Sequence, residues 1–211
     1  MADKNFDQYE YVAVIIPGAT LLFGLSIEWP QYLHMASENE ELSLGELGLF
    51  LIAAFIAGQL LQSLGDVLER PFWALFGGLP TNWVIKTNNK LITDAQRDQL
   101  QTRVRTLIAK NDFDIGTVDL GEWYSITRQI YAKVNAAKLA ERVDAFNRTY
   151  GLMRGFAIAL VILAIIFFAV DARLQLGFGA VALAILAFMR FYLFGRAYGR
   201  ELFVQFLGLP P

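Results

Sequence analysis

Four long runs of apolar residues constrain this chain more than any other feature of its sequence. They cover residues 11–29, 47–65, 155–170 and 176–194. A helix that crosses the hydrocarbon core of a bilayer needs about 20 apolar residues, and the third run reaches that length with its flanking residues. Because the runs are continuous and lack a period of two, they favour helices over the strands of a membrane barrel.

Composition and charge support the same class of protein. At 55% hydrophobic residues, the chain of 211 residues is too apolar for an ordinary soluble domain. We therefore predict an all-α, polytopic membrane protein with four transmembrane helices. Its predicted organisation is a transmembrane pair at 1–65, a helical cytoplasmic insertion at 66–152, and a second transmembrane pair with a basic tail at 153–211.

The distribution of basic residues predicts the orientation of the spans. The segment 30–46 carries four glutamates and no lysine or arginine, whereas 66–152 carries twelve lysines and arginines. The positive-inside rule then puts 66–152 and both termini in the cytoplasm. The acidic leader at 1–10 does not resemble a cleaved signal peptide, so the first run is expected to stay as a span. We expect the membrane to be a bacterial inner membrane. The near-neutral charge of 66–152 argues against a nucleic-acid partner.

The predicted cytoplasmic insertion has three local signals. Pro71 is expected to end the second span, because proline lacks the amide that continues a helix. Thr93 and Gln96 have the spacing of a capping box, which predicts a helix from there to about residue 110. The apolar spacing over 122–150 predicts one long helix that runs into the third span, either straight or kinked at Gly151 or Gly155.

The end of the second apolar run carries polar residues at steps of three and four, so they lie on one side of a helix. This polar stripe consists of Gln59, Gln62, Asp66 and Glu69. Beside it runs a small-residue face formed by Ala54, Gly58 and Gly65. Amide and carboxyl groups are costly in lipid, so the stripe must face another helix, a neighbouring subunit or water. Two interpretations remain open: an interhelical hydrogen-bond clamp, and the lining of a pore formed by oligomerisation.

The first and fourth runs contain residues suited to close packing or bending. Pro17 frees the carbonyl of Ala13 and bends the first helix, while Gly18 permits a neighbour to approach. The bend is either a static kink or a gating hinge. In the fourth run, Ala180 and Ala184 form a small-residue face that predicts helix–helix contact.

The C-terminal tail places basic residues at and beyond the end of the fourth run. Arg190, Arg196 and Arg200 are spaced for one helix that leaves the membrane. One interpretation is that they anchor the helix end at the headgroups. The other is that they dock anionic lipid headgroups or an acidic partner.

The usual catalytic motifs are missing from the sequence. His34 is the single histidine, and there is no cysteine. No metalloprotease, nucleophile-elbow or phosphate-loop motif is present, so we expect neither an enzyme nor a bound cofactor or metal. The less favoured enzymatic alternative is a lipid-modifying enzyme that uses Asp66, Glu69 and Arg70 as its polar cluster.

Three short motifs resemble a loose group of small bacterial membrane proteins: Pro17-Gly18, the "GQLLQ" of 58–62 and the "RFYLFGRAYGREL" of the tail. Some members of that group lie beside anti-phage genes as membrane-acting effectors, and the resemblance implies a similar role here. The expected function is a self-associating pore or membrane-perturbing effector, controlled by a cytosolic protein or a small signalling ligand. The alternative is a membrane anchor that docks a soluble partner.

Overall fold

Most of the part of the chain that the structure describes is helical. The computed structural model describes residues 8–29, 44–88, 91–170 and 173–210. No strand occurs in these ranges. The helices are α1 (Gln8–Glu28), α2 (Leu44–Ala74), a 3-10 helix (Pro80–Ile85), α3 (Asp94–Ile108), α4 (Leu120–Ala136), α5 (Glu141–Ala169) and α6 (Leu174–Gly208).

Four of these helices, α1, α2, α5 and α6, are long and apolar enough to cross a membrane. The most apolar is α5, whose mean hydropathy reaches 2.6. Their exposed surfaces are rich in leucine, isoleucine and phenylalanine, as expected of helices that contact lipid. The prediction of an all-helical chain with four helices apolar enough to span a membrane is confirmed.

The chain divides into two compact units, and the first contains most of the apolar helices. This unit comprises Met1–Leu68 and Arg148–Tyr192. Within it, α5 is the central helix, because buried clusters join it to α1, α2 and α6. The contacts of Pro17 with Gly155 and of Gly24 with Leu163 show that α1 and α5 run in the same direction.

The second unit has a hydrophobic core of its own. It comprises Glu69–Asn147 and Leu193–Pro211. Trp123 is fully buried, its indole Nε1 donates a hydrogen bond of 2.8 Å to the Thr81 carbonyl, and its ring lies 5.9 Å from that of Phe203. The C-terminal tail therefore belongs to the second unit, whereas the boundaries at 66 and 152 stay a prediction. The tail joins it through buried apolar side chains, namely Leu202, Phe203 and Phe206.

Two predicted helix boundaries are wrong. The expected continuous helix over 122–150 is broken, because α4 ends at Ala136 and α5 begins at Glu141. Lys138 adopts the left-handed backbone conformation (φ 59°), and the amide of Leu139 donates to the carbonyl of Val134. This pattern is a Schellman turn, which ends a helix by satisfying its last carbonyl groups.

Pro71 does not end the second span, contrary to the prediction. It lies inside α2, which continues to Ala74. Proline removes one backbone hydrogen bond from a helix but does not forbid the turns that follow it. The helix ends where Gly77 and Gly78 adopt positive φ angles of 85° and 101° and the Gly78 amide donates to the Trp73 carbonyl.

The capping box predicted at the start of α3 is confirmed. The Thr93 hydroxyl accepts from the Gln96 amide at 3.2 Å, and the Gln96 side chain accepts from the Thr93 amide at 3.0 Å. Two orphan amides of the first helical turn are thereby satisfied. With the helix starting after Thr93, Leu100 and Val104 lie on the same face of α3 and are buried in the core of the second unit.

Candidate functional site

Proline in α1 creates a hydrogen-bond acceptor that α2 then uses. Pro17 has no amide hydrogen, so the carbonyl of Ala13 has no donor four residues later. In the first unit, Gln62 Nε2 lies 3.4 Å from that carbonyl oxygen and donates to it. The same Nε2 donates to the Gly151 carbonyl of α5 at 3.1 Å. Gln62 therefore bridges the backbones of two neighbouring helices.

The oxygen of the Gln62 side-chain amide accepts a hydrogen bond from an arginine of α5. Arg154 Nη2 donates to Gln62 Oε1 at 3.2 Å and lies 2.7 Å from Asp66 Oδ1. Its side chain is only 13% exposed, whereas that of Asp66 is 69% exposed. The guanidinium carbon also lies 6.0 Å from the centre of the Tyr150 ring, within the range of a cation–π contact. We call the side chains of Gln62, Asp66 and Arg154, with the two carbonyls that Gln62 binds, the polar junction.

Glycines give the three helices the space to build the polar junction. A methyl group at Gly18 would collide with the Ala54 carbonyl oxygen, and one at Gly58 with the Val14 carbonyl oxygen. The backbones of α1 and α2 therefore touch directly. On α5, a Cβ at Gly155 would lie 3.0 Å from Gln62 Nε2.

The structure separates the four residues of the predicted polar stripe. Gln62 and Asp66 enter the polar junction, but Gln59 is exposed on the outer side of α2. Glu69 is half-buried and belongs to the second unit. The small residues Ala54 and Gly58 contact α1 of the same chain. Gly65 contacts the Arg154 side chain, since a Cβ added at Gly65 would lie 2.8 Å from Arg154 Nε.

The remaining predicted residues lie in several places. Ala180 and Ala184 are buried in the clusters that join α6 to α5. Arg190 belongs to the first unit and is exposed, whereas Arg196 and Arg200 belong to the second. The three arginines are thus shared between two units. His34 lies outside the described residues, as do residues 30–43 of the acidic segment 30–46.

Sequence reasoning missed Arg154 as a member of the site. A single arginine beside an apolar run is typical of the positive-inside pattern, so Arg154 alone does not indicate a site. The available signal was its neighbourhood: Gly151 and Gly155 flank it at steps of three and one, which indicates a close approach to another helix.

A second ion pair inside the first unit was also missed. The Glu28 carboxylate at the end of α1 is fully buried, and its Oε1 lies 3.5 Å from Arg173 Nε. Arg173 immediately precedes α6. A fully buried carboxylate is tolerated when a cationic side chain lies beside it. This pair is a second charged link between helices of this unit.

The second unit carries a tyrosine–aspartate pair and an open groove. Tyr131 donates a hydrogen bond of 2.8 Å to Asp144 Oδ1, and burial, followed by this hydrogen bond, raises the pKa of Tyr131 to about 12. The groove has a volume of about 990 Å³ and is lined in part by Lys133 and Arg103. Arg103 Nη1 donates to the carbonyls of Phe206 and Leu209 at 3.1 and 2.6 Å, which caps the end of α6.

Neither unit presents a metal site in the part of the chain that the structure describes, since no three His, Cys, Asp or Glu side chains cluster there. Searches of family models, curated proteins and solved structures found no match to the chain. Function is therefore inferred from the geometry of the two units and from the sequence motifs.

Proposed function

We propose that this chain is a non-enzymatic, self-associating protein of the bacterial inner membrane, with both termini in the cytoplasm, that permeabilises or perturbs the bilayer. The resemblance of its motifs suggests anti-phage defence as the setting. The observation that carries the proposal is the polar junction: a mostly buried arginine, an amide and an exposed carboxylate among helices long and apolar enough to span a membrane. Polar groups within spans mark ion and proton pathways more often than chance.

The geometry supports a closed state that can be opened. In the described arrangement Gln62 uses both ends of its amide, and Arg154 contacts both Gln62 and Asp66. Separating the helices would leave the guanidinium and the amide in need of water, because neither is stable in hydrocarbon. Opening the polar junction and admitting water to the membrane are therefore the same event in this proposal.

A leakage assay in liposomes tests the proposal. Asp66→Asn keeps the shape of the side chain but removes the charge that faces Arg154. Because Asp66 is largely exposed, the lost pairing is worth about 1 kcal/mol, and dye or ion leakage should rise about fivefold. Gln62→Leu should raise leakage as well, since it removes the bridge to Ala13 and Gly151.

Thr20→Val provides the matched control, on α1 three residues from Pro17. The Thr20 hydroxyl donates to the Ile16 carbonyl of its own helix at 2.8 Å and contacts neither the polar junction nor α2 through that bond, so its loss should leave leakage unchanged. Wild-type liposomes that stay impermeable with and without cytosolic extract, together with silent Asp66→Asn and Gln62→Leu variants, would overturn the proposal.

One observation favours a second candidate, a membrane anchor that docks a soluble cytosolic partner. The second unit has its own core of apolar side chains and an open groove, as a docking module requires. Under this alternative, substitutions in the polar junction would change stability without changing permeability. Leakage therefore separates the two candidates.

A further inference from the structure

Gln59 is a polar side chain on the exposed side of a helix that is long and apolar enough to span a membrane. It is exposed on α2, and its position lies about 20 Å from Glu46 and about 10 Å from Asp66 along the helix axis. A glutamine side chain is too short to reach the headgroups from that depth. In hydrocarbon its amide would have no hydrogen-bond partner, which is unfavourable by several kcal/mol.

The residues around Gln59 have the spacing of a helix–helix contact. Ile52, Ile56, Gln59 and Ser63 follow one another at steps of four, three and four, and all four are exposed. This 4-3-4 spacing is typical of the seam between two packed helices. The Ser63 hydroxyl is already satisfied by its own backbone. We call these four residues the outer face of α2.

A primary amide is self-complementary, because it carries one acceptor and two donors. Two copies of Gln59 related by a twofold axis can therefore donate to each other, and the same outer face then serves both subunits. A partner with a plain apolar helix would leave the amide without a donor or an acceptor. The chemistry of the outer face thus selects a second copy of this chain over an unrelated apolar span.

We propose that the outer face of α2 is the self-association surface, with a reciprocal Gln59–Gln59 hydrogen bond between two copies. This inference rests on the self-association in the proposed function and gives that association a surface. The two glutamines of "GQLLQ" then have different partners. Gln62 joins helices within one chain, and Gln59 joins two chains.

Cysteine cross-linking tests the surface directly, because the chain contains no cysteine. Purified Ile56→Cys protein in lipid vesicles is oxidised, and the disulfide-linked dimer is quantified by mass. The matched control is Ile185→Cys on α6, since the two isoleucines are 56% and 55% exposed. We expect dimers from Ile56→Cys and about fivefold fewer after Gln59→Leu is added. Gln59→Asn should restore part of the yield.

Several outcomes would contradict the proposal that the outer face of α2 is the self-association surface. They are an equal yield from Ile56→Cys and Ile185→Cys, a yield that Gln59→Leu leaves unchanged, and a yield that Gln62→Leu lowers as much as Gln59→Leu does. Equal thermal midpoints of wild type and Gln59→Leu show that the variant folds. Leakage from the same vesicles is measured separately, so dimers without leakage would contradict the pore and retain the surface.

Discussion

Gln59 and Gln62 are three positions apart on α2, yet their side chains meet different surroundings. Successive helical residues are rotated by about 100°, so residues three apart differ by about 60° around the axis. Gln62 points between α1 and α5, whereas Gln59 lies beyond the edge of that contact. Periodicity could place both on one side of α2, but a difference of about 60° decides whether an amide meets a backbone carbonyl or lies on the exposed surface.

Gly58 should tolerate no side chain, although its substitution appears conservative. Gly58→Ala would drive a methyl group into the Val14 carbonyl oxygen and push α1 away from α2. Overpacking of this kind costs about 1–3 kcal/mol, which denaturant unfolding in detergent measures. Gly48→Ala is on the same helix with no atom within 4 Å of the added methyl group, so it should not destabilise and should gain up to about 1 kcal/mol from the better helix former. Equal stabilities of the two variants would contradict the direct backbone contact.

Tyr131 makes the second unit sensitive to high pH. Its pKa is raised from 10.0 to about 12, first by burial and then by the hydrogen bond to Asp144, with Tyr198 contributing a smaller repulsion. The raised value means that folding favours the protonated phenol. The stabilisation is fully present below about pH 10 and is lost as the pH rises through about 12.

Tyr131→Phe removes this dependence on pH. At neutral pH the variant should be less stable by about 1 kcal/mol, because the hydrogen bond to the Asp144 carboxylate is lost. The gap between wild type and variant should close above about pH 12, where the wild-type phenol is ionised. Thermal midpoints recorded from neutral to strongly alkaline pH check this. A gap that stays constant would show that Tyr131 acts only through packing.

At the scale of whole helices, the sequence predicted elements that carry local signals and missed those that do not. Apolar length predicted α1, α2, α5 and α6, and the Thr93–Gln96 pair predicted the start of α3. The end of α4 has no such signal, since its left-handed residue is Lys138 where glycine is usual. Packing of Val134 and Val143 in the same core explains the break, because both are fully buried.

Pro17 in α1 and the polar junction should be energetically coupled. Pro17→Ala restores an amide that can donate to the Ala13 carbonyl, so Gln62 becomes less necessary there. Gln62→Leu should then cost about 0.6 kcal/mol less in the Pro17→Ala background than in wild type. A double-mutant cycle in detergent measures the difference, with Ser63→Ala as the control in both backgrounds. Full additivity would mean that Gln62 does not satisfy the freed carbonyl.

For the whole molecule, the sequence predicted membrane helices but not the division into two units. The tail at 193–211 continues the helix of the fourth apolar run, and nothing in its composition separates it from that run. Its burial against residues of 69–147 is a contact between parts of the chain far apart in sequence. Such contacts leave no local pattern, and the same is true of the Arg154–Asp66 pair.

Each unit has its own core. A substitution that destabilises the second unit should therefore leave the outer face of α2, which lies in the first unit, intact. Trp123→Ala removes a fully buried indole and its hydrogen bond to Thr81, at a cost of about 3–5 kcal/mol. Global stability is typically about 5–15 kcal/mol, so the second unit should open often enough for proteolysis within 69–147 to accelerate. Leu120→Ala, at an exposed position of the same helix, should not accelerate proteolysis.

Cross-linking through Ile56→Cys should persist in the Trp123→Ala variant, because the residues around position 56 pack within the first unit. Loss of the cross-link together with faster cleavage would mean that the two units unfold as one.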